Sequence, residues 1–165
     1  MKGIRLIGII SVAALLLMMG SCQNEPRRVV YTHFEEIGLD GWASTDIIVF
    51  EPMPTDSILS PGQHYNLDMI VRYNKRSCRG VHIPLAVSYE DERGTLRQDT
   101  IDVGMQTPQA EEVKEMPGTY EVRIPLERAF TLSEGYAVTL TPLVAQDISK
   151  GILNIGLIMS PTEQQ

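Results

Sequence analysis

Two cysteines, three histidines and three acidic doublets are the residues of this chain whose types and spacing could do chemistry. Cys78 lies in Asn74-Lys75-Arg76-Ser77-Cys78-Arg79-Gly80, a basic, turn-like run. Neighbouring cations lower a thiol's pKa and raise its reactivity, but a catalytic cysteine also needs a base, and spacing alone places none beside it. A half-buried turn cysteine is the plainer reading. His33, His64 and His82 stand far apart, whereas a zinc site draws on short-range pairs or a Cys/His cluster, so no metal role is expected. The doublets Glu35-Glu36, Asp91-Glu92 and Glu111-Glu112 read as exposed charge in turns or loops. Glycoside cleavage would require two carboxylates facing each other across about 5–10 Å, which sequence does not specify. No G-x-S-x-G, P-loop, H-E-x-x-H or EF-hand pattern occurs. The expectation is a non-enzymatic protein with no cofactor, no metal and no evident small-molecule substrate.

Cys22 has the more specific context. Met1-Lys2-Gly3-Ile4-Arg5 is a short positive run, and residues 6–19 are apolar apart from Gly8 and Ser11. Fourteen helical residues would span about 21 Å, short of the roughly 30 Å hydrocarbon core of a bilayer, which argues against a permanent span. Met19-Gly20-Ser21-Cys22 then places small residues directly before a cysteine and resembles a bacterial lipobox, with Met19 where Leu is preferred. The alternative is an ordinary secretory signal. The lipobox reading makes residues 1–21 a cleaved lipoprotein signal peptide and Cys22 the lipidation site. The thiol would receive diacylglycerol and the freed amine a further acyl chain, typically palmitate. At about 0.8 kcal/mol per buried methylene, several chains hold far better than one. Gln23 is not the Asp that often retains lipoproteins at the inner membrane, so the outer membrane is expected. Gln23-Asn24-Glu25, with its single acid, favours the periplasmic face over the cell surface.

Removal of residues 1–21 would leave 144 residues with 12 basic and 21 acidic groups, a net charge of −9. A chain of that size buries roughly 70% of its unfolded surface and needs no disulfide or metal to hold a core. With Cys22 lipidated, Cys78 would have no internal partner. The acidic balance leaves no basic footprint for a nucleic-acid partner.

Beyond residue 28 the apolar period is two. Tyr65, Leu67, Met69, Val71 and Tyr73 alternate with Asn66, Asp68, Ile70 and Arg72; Val81, Ile83, Leu85, Val87 and Tyr89 alternate with His82, Pro84, Ala86, Ser88 and Glu90. Tyr120, Val122, Ile124 and Leu126 repeat the pattern. Each segment reads as a strand with one face buried and one solvated. Residues 46–50, 136–144 and 152–159 are more continuously apolar, and residues 28–34 and 95–103 are weaker candidates. Asp91-Glu92-Arg93-Gly94 reads as a hairpin turn and Pro117-Gly118 as a strand entry. Pro84, Pro125 and Pro142 inside strand patterns imply edges or bulges. About eight short strands without a long helix predict an all-β antiparallel β-sandwich, immunoglobulin-like or jelly-roll. The organisation expected is a tether over residues 22–28, the sandwich over 29–160 and a tail over 161–165. Residues 105–116 read as a solvated acidic loop, and 127–135 as a helical turn or loop between sheets.

A glycan-binding surface would need exposed aromatic platforms. The chain has ten aromatic residues. Tyr65, Tyr73, Tyr89 and Tyr120 fall on inward faces, which leaves Trp42, Tyr31 and Phe34, and Trp42 reads better as a cap on the core. An envelope hydrolase would instead show paired carboxylates in a cleft, one with a raised pKa.

Trp42, Asp46, Phe50 and Asp56, then Tyr65, Leu67 and Val71-Arg72-Tyr73, fall in an order and spacing that resembles the opening of the H-type gliding-motility lipoproteins of Bacteroidetes. Leu85-Ala86-Val87 and Asp99-Thr100 fit the next strand of that family, and Gly151-Ile152 with Ile155-Gly156-Leu157 its closing strand. The similarity runs from about residue 19 to 159, through core and turn positions rather than a diagnostic motif. It departs in the middle, where the family carries a Gly/Trp-rich segment and this chain has residues 105–116. The resemblance implies a membrane-anchored, non-enzymatic component of a cell-envelope machine of the gliding-motility type. Such a component would act through contacts with other envelope proteins.

Overall fold

The computed structural model describes residues 28–38, 40–52, 62–77, 82–143 and 148–162. The expected signal peptide over residues 1–21, Cys22, Cys78 and most of the expected tether lie outside these residues. Among the described residues there is no helix, and every strand pairing is antiparallel.

Among the described residues eleven strands follow in chain order: β1 (Tyr31–Glu36), β2 (Trp42–Ala43), β3 (Ile48–Phe50), β4 (His64–Asn74), β5 (His82–Asp91), β6 (Gly94–Gly104), β7 (Glu112–Met116), β8 (Thr119–Thr131), β9 (Ala137–Pro142), β10 (Ile148–Ser149) and β11 (Ile152–Pro161). They form a five-stranded sheet, β1-β11-β4-β8-β7, and a four-stranded sheet, β3-β9-β5-β6, with β2 and β10 paired separately. The chain passes repeatedly from one sheet to the other, so their inner faces close on one another as an antiparallel β-sandwich. The alternation read from sequence fills the space between them. Tyr65, Leu67, Met69, Val71 and Tyr73 of β4 are fully buried, and Ile83, Leu85, Val87 and Tyr89 of β5 face them from the other sheet. Trp42 closes one end at 1% exposure, its indole Nε1 donating to the Asp46 carbonyl at 2.9 Å.

Turn chemistry fixes the two hairpins. Met116 and Thr119 pair across Pro117-Gly118, with Gly118 at φ 77°, a conformation glycine adopts without a Cβ penalty. Asp91 pairs with Gly94, and the Asp91 side chain accepts from the Arg93 amide at 2.7 Å, closing the β5–β6 turn.

Several elements differ from the sequence expectation. The weak candidate over 95–103 is β6, one of the longer strands, and Glu35 and Glu36 lie on β1 rather than in a turn. Residues 105–116 are not wholly loop: β7 pairs with β8 at the sheet edge, and its mostly exposed Glu-Val-Lys-Glu-Met sequence lacks the apolar alternation of a half-buried strand. Residues 127–131 continue β8 rather than turning. Pro84 sits in β5, which has partners on both sides, but its carbonyl accepts from the Leu143 amide where the β5–β9 ladder begins. The proline nitrogen lies on that same flank, so its missing donor is placed at the ladder's end. β11 runs on through Pro161, and the Thr162 amide donates to the His64 carbonyl, using two residues assigned to the tail.

Candidate functional site: an inter-sheet polar cluster and two unlike outer faces

The cluster starts from an irregularity in β8. Pro125 is opposite Asp68 on the outer face of β4, whereas Glu127 is opposite Leu67 on its inner face, so one extra residue between them reverses the side-chain phase. Ala129 follows with φ 51°, unusual for a residue with a Cβ, and the Asn66 side chain accepts from its amide at 3.1 Å. Glu127 is thereby aimed between the sheets. Arg97 of β6 meets it from the other sheet, Nη1 to Oε1 at 2.6 Å, and its Nε also reaches Asp99 Oδ2 at 2.8 Å. The Arg97 guanidinium stacks over the Tyr89 ring at 4.3 Å. Tyr136 faces the same carboxylate and packs on Phe130, ring centroids 5.2 Å apart.

Burial sets the electrostatics. Glu127 has 15% of its side chain exposed, and loss of water raises its pKa above the usual carboxylate value despite the opposing pull of Arg97. Burial pushes Tyr89 up to about 12, and burial together with the negative charge of Glu127 raises Tyr136. A raised carboxyl with a second carboxylate nearby is what the hydrolase reading asked for, and here Arg97 bridges the two, Glu127 and Asp99. The Arg97–Glu127 pair ties the two sheets together. Glu127 was missed in the sequence because its phase reverses at the bulge.

The sheets' outer faces are unlike. On the five-stranded sheet, Asp68 is fully buried beneath Arg123 and Arg128; Arg128 reaches Asp68 Oδ1 at 2.6 Å and Glu111 Oε2 at 2.8 Å. Arg72 pairs with Glu121 at 2.8 Å and covers the Phe34 ring at 4.3 Å. On the four-stranded sheet, the outward row Val49, Thr139, Ser88, Gln98 and its neighbours Thr141, Ala86 and Thr100 are uncharged.

The sequence candidates are scattered over this frame. His33 on β1 pairs with Glu35 at 2.8 Å, His82 on β5 pairs with Asp102 at 2.8 Å, and His64 begins β4. Among the described residues no group of three His, Cys, Asp or Glu is placed to hold a metal ion. All ten aromatic side chains are buried or half-buried, so Trp42, Tyr31 and Phe34 offer no open stacking platform. Compared with known proteins, the chain matches no family model and no curated protein.

Proposed function

We propose that this chain is an outer-membrane lipoprotein, anchored through lipidated Cys22 on the periplasmic face. It acts as a non-enzymatic subunit of a cell-envelope machine of the gliding-motility type, through protein–protein contacts. The observation that carries the reading is the apolar run over residues 6–19 ending in Met19-Gly20-Ser21-Cys22. The fold is compatible with it: the aromatic side chains are spent on the core, and the polar cluster is occupied by its own ion pairs. Both leave the sheet faces as the working surface. The anchor also suggests an orientation. The Val30 amide donates to the Met159 carbonyl, so a tether from Cys22 would enter beside the end of β11.

The test is a pull-down of the native protein from detergent-solubilised envelopes beside a Cys22→Ala control, with partners identified by mass spectrometry. Co-purification of envelope-machine components that depends on Cys22 is the expected result. Recovery of the lipidated protein alone would keep the anchor and remove the assembly role, and glycan binding would be tested next.

A further inference from the structure

Among the described strands, β1 and β7 border the five-stranded sheet, and β3 and β6 border the four-stranded one. β3 is only three residues long and β7 exposes Glu112, Lys114 and Glu115; short or charged edges resist pairing. β6 is the long edge of its sheet, running from Gly94 to Gly104. Its backbone groups can be assigned a side. The Pro84 carbonyl faces β9, so Pro84 and its β6 partner Asp102 turn their backbone groups away from each other. The alternation of an antiparallel ladder repeats this at Thr100 and Gln98. The N–H and C=O groups of Gln98, Thr100 and Asp102 therefore line the outer flank of β6, a template for another strand.

The core-facing row of β6 is unlike that of β4 or β5. Ile101 and Val103 lie opposite the buried Leu85 and Ile83, but Arg97 and Asp99 lie opposite the buried Tyr89 and Val87. Two charges thus stand on the core side of an edge strand, paired at 2.8 Å and 45% and 44% exposed. Glu127 joins Arg97 from the other sheet at 2.6 Å. β1 is built alike: His33 and Glu35, opposite the buried Leu157 and Ile155, hydrogen-bond at 2.8 Å. Stability does not account for the β6 arrangement. Burial leaves the Glu127 carboxylate under-solvated, and aliphatic replacement of a buried ion pair is often neutral or stabilising.

We propose that Arg97 and Asp99 keep the β6 edge from pairing with a second copy of the chain. Inward-pointing charges are one of the ways natural sheets blunt an edge. A strand added to β6 would stand about 4.8 Å away, side chain opposite side chain. It would close over Arg97 and Asp99 and remove the water that they now meet. Their attraction to each other and to Glu127 is already made in the single chain, so the lost hydration has no matching gain. With valine in their places the core-facing row would be apolar from 97 to 103 beside the open backbone groups, the pattern of an association-prone edge.

The experiment is sedimentation velocity of the full-length chain purified in density-matched detergent, over a hundredfold range of protein concentration. Thermal melts by circular dichroism check that each protein folds. Wild type is expected to remain one chain per particle. Arg97→Val, Asp99→Val and Glu127→Val together should keep a cooperative melt yet pass to two or more chains as concentration rises. Adding Thr100→Pro removes an outward N–H without touching the β5 ladder, and should return the triple variant to single chains. Hydrogen exchange gives the location: amides of Gln98, Thr100 and Asp102 should gain protection in the associated triple variant, while those of β1 do not. A triple variant that stays single overturns the proposal, as does association that Thr100→Pro leaves unchanged. Wild-type pairing that Thr100→Pro abolishes also overturns it, because β6 would then be an interface. If the triple variant does not fold, Asp99→Val alone decides, since it keeps Arg97 on Glu127. That variant must associate at the upper end of the range, and a single chain throughout overturns the proposal.

Discussion

Glu127 and Arg97 reach each other from opposite sheets, Oε1 to Nη1 at 2.6 Å, because the β8 bulge reverses the direction of the glutamate. Burial leaves the ionised carboxylate under-solvated, and its folded-state pKa lies above the unfolded value of 4.5. A raised carboxyl favours the folded state fully below the unfolded pKa, and this advantage is lost as pH rises through the folded pKa. Glu127→Gln removes that titration and leaves Arg97 to Asp99. The variant should be at least as stable as wild type at pH 7. Wild type should gain on it as pH falls toward 4.5. Urea midpoints of both proteins between pH 4 and pH 7 read this directly. A variant that tracks wild type in parallel at every pH would show that Glu127 is not the titrating group.

Tyr89 and Tyr136 make the matching alkaline prediction. Burial holds Tyr89 near pKa 12 against an ordinary 10.0, with Tyr136 raised as well, so the folded state resists losing either proton. The stability tied to these hydroxyls is complete below pH 10 and is lost as pH rises through the folded values. Phenolate absorbance from these two should therefore appear together with unfolding rather than before it. Tyr89→Phe should lose less stability between pH 9 and pH 11 than wild type. Ultraviolet titration run beside far-ultraviolet circular dichroism separates the two events.

Asp68 is fully buried on the outer face of β4 with Arg123 and Arg128 upon it, and Arg123 is itself only 18% exposed. Asp68→Asn keeps the shape but leaves the guanidinium of Arg123 without its counter-charge. Breaking a buried pair on one side costs about 3–5 kcal/mol, and the partial exposure of Arg128 puts the expected loss near the lower figure. Asp68→Asn with Arg123→Met should recover part of it. A double-mutant cycle in guanidinium chloride would contradict this account if the two losses simply added.

These residues also show where the sequence was informative. Period-two alternation placed every inward residue of β4 and β5 because a strand with one buried face must repeat that way. The same rule failed at Glu127. One extra residue reverses the phase, so Glu-Arg-Ala after Leu126 looks like the start of a loop. It failed again at β7, an edge strand whose exposed, charged side chains give no apolar signal. Trp42 was legible as a core cap from its turn-like setting after Gly41. The Arg97–Glu127 contact was not legible, since it depends on how two sheets are stacked and no local pattern encodes that. The neutral outer face shares that limit, because its rows assemble from four strands that are scattered along the chain.

Gly156 in β11 lies opposite Phe34 in β1, and the Phe34 ring crosses the space where a side chain would stand. A Cβ built there would be 2.4 Å from Phe34 Cδ1 and 2.6 Å from the His33 carbonyl oxygen. The ring can swing aside, at the expense of its stacking with Arg72, but the backbone oxygen can move only if the β1–β11 pairing opens. Gly156→Ala should therefore destabilise by about 1–3 kcal/mol, the usual range for forced overpacking. Phe34→Ala in the same chain should restore only part of the loss, because it relieves the ring and not the carbonyl. Hydrogen exchange localises the effect: amides of β1 and β11 should lose protection in Gly156→Ala, while those of β5 and β9 in the other sheet keep theirs. Uniform loss of protection across both sheets would show that the glycine serves the whole fold rather than this pairing.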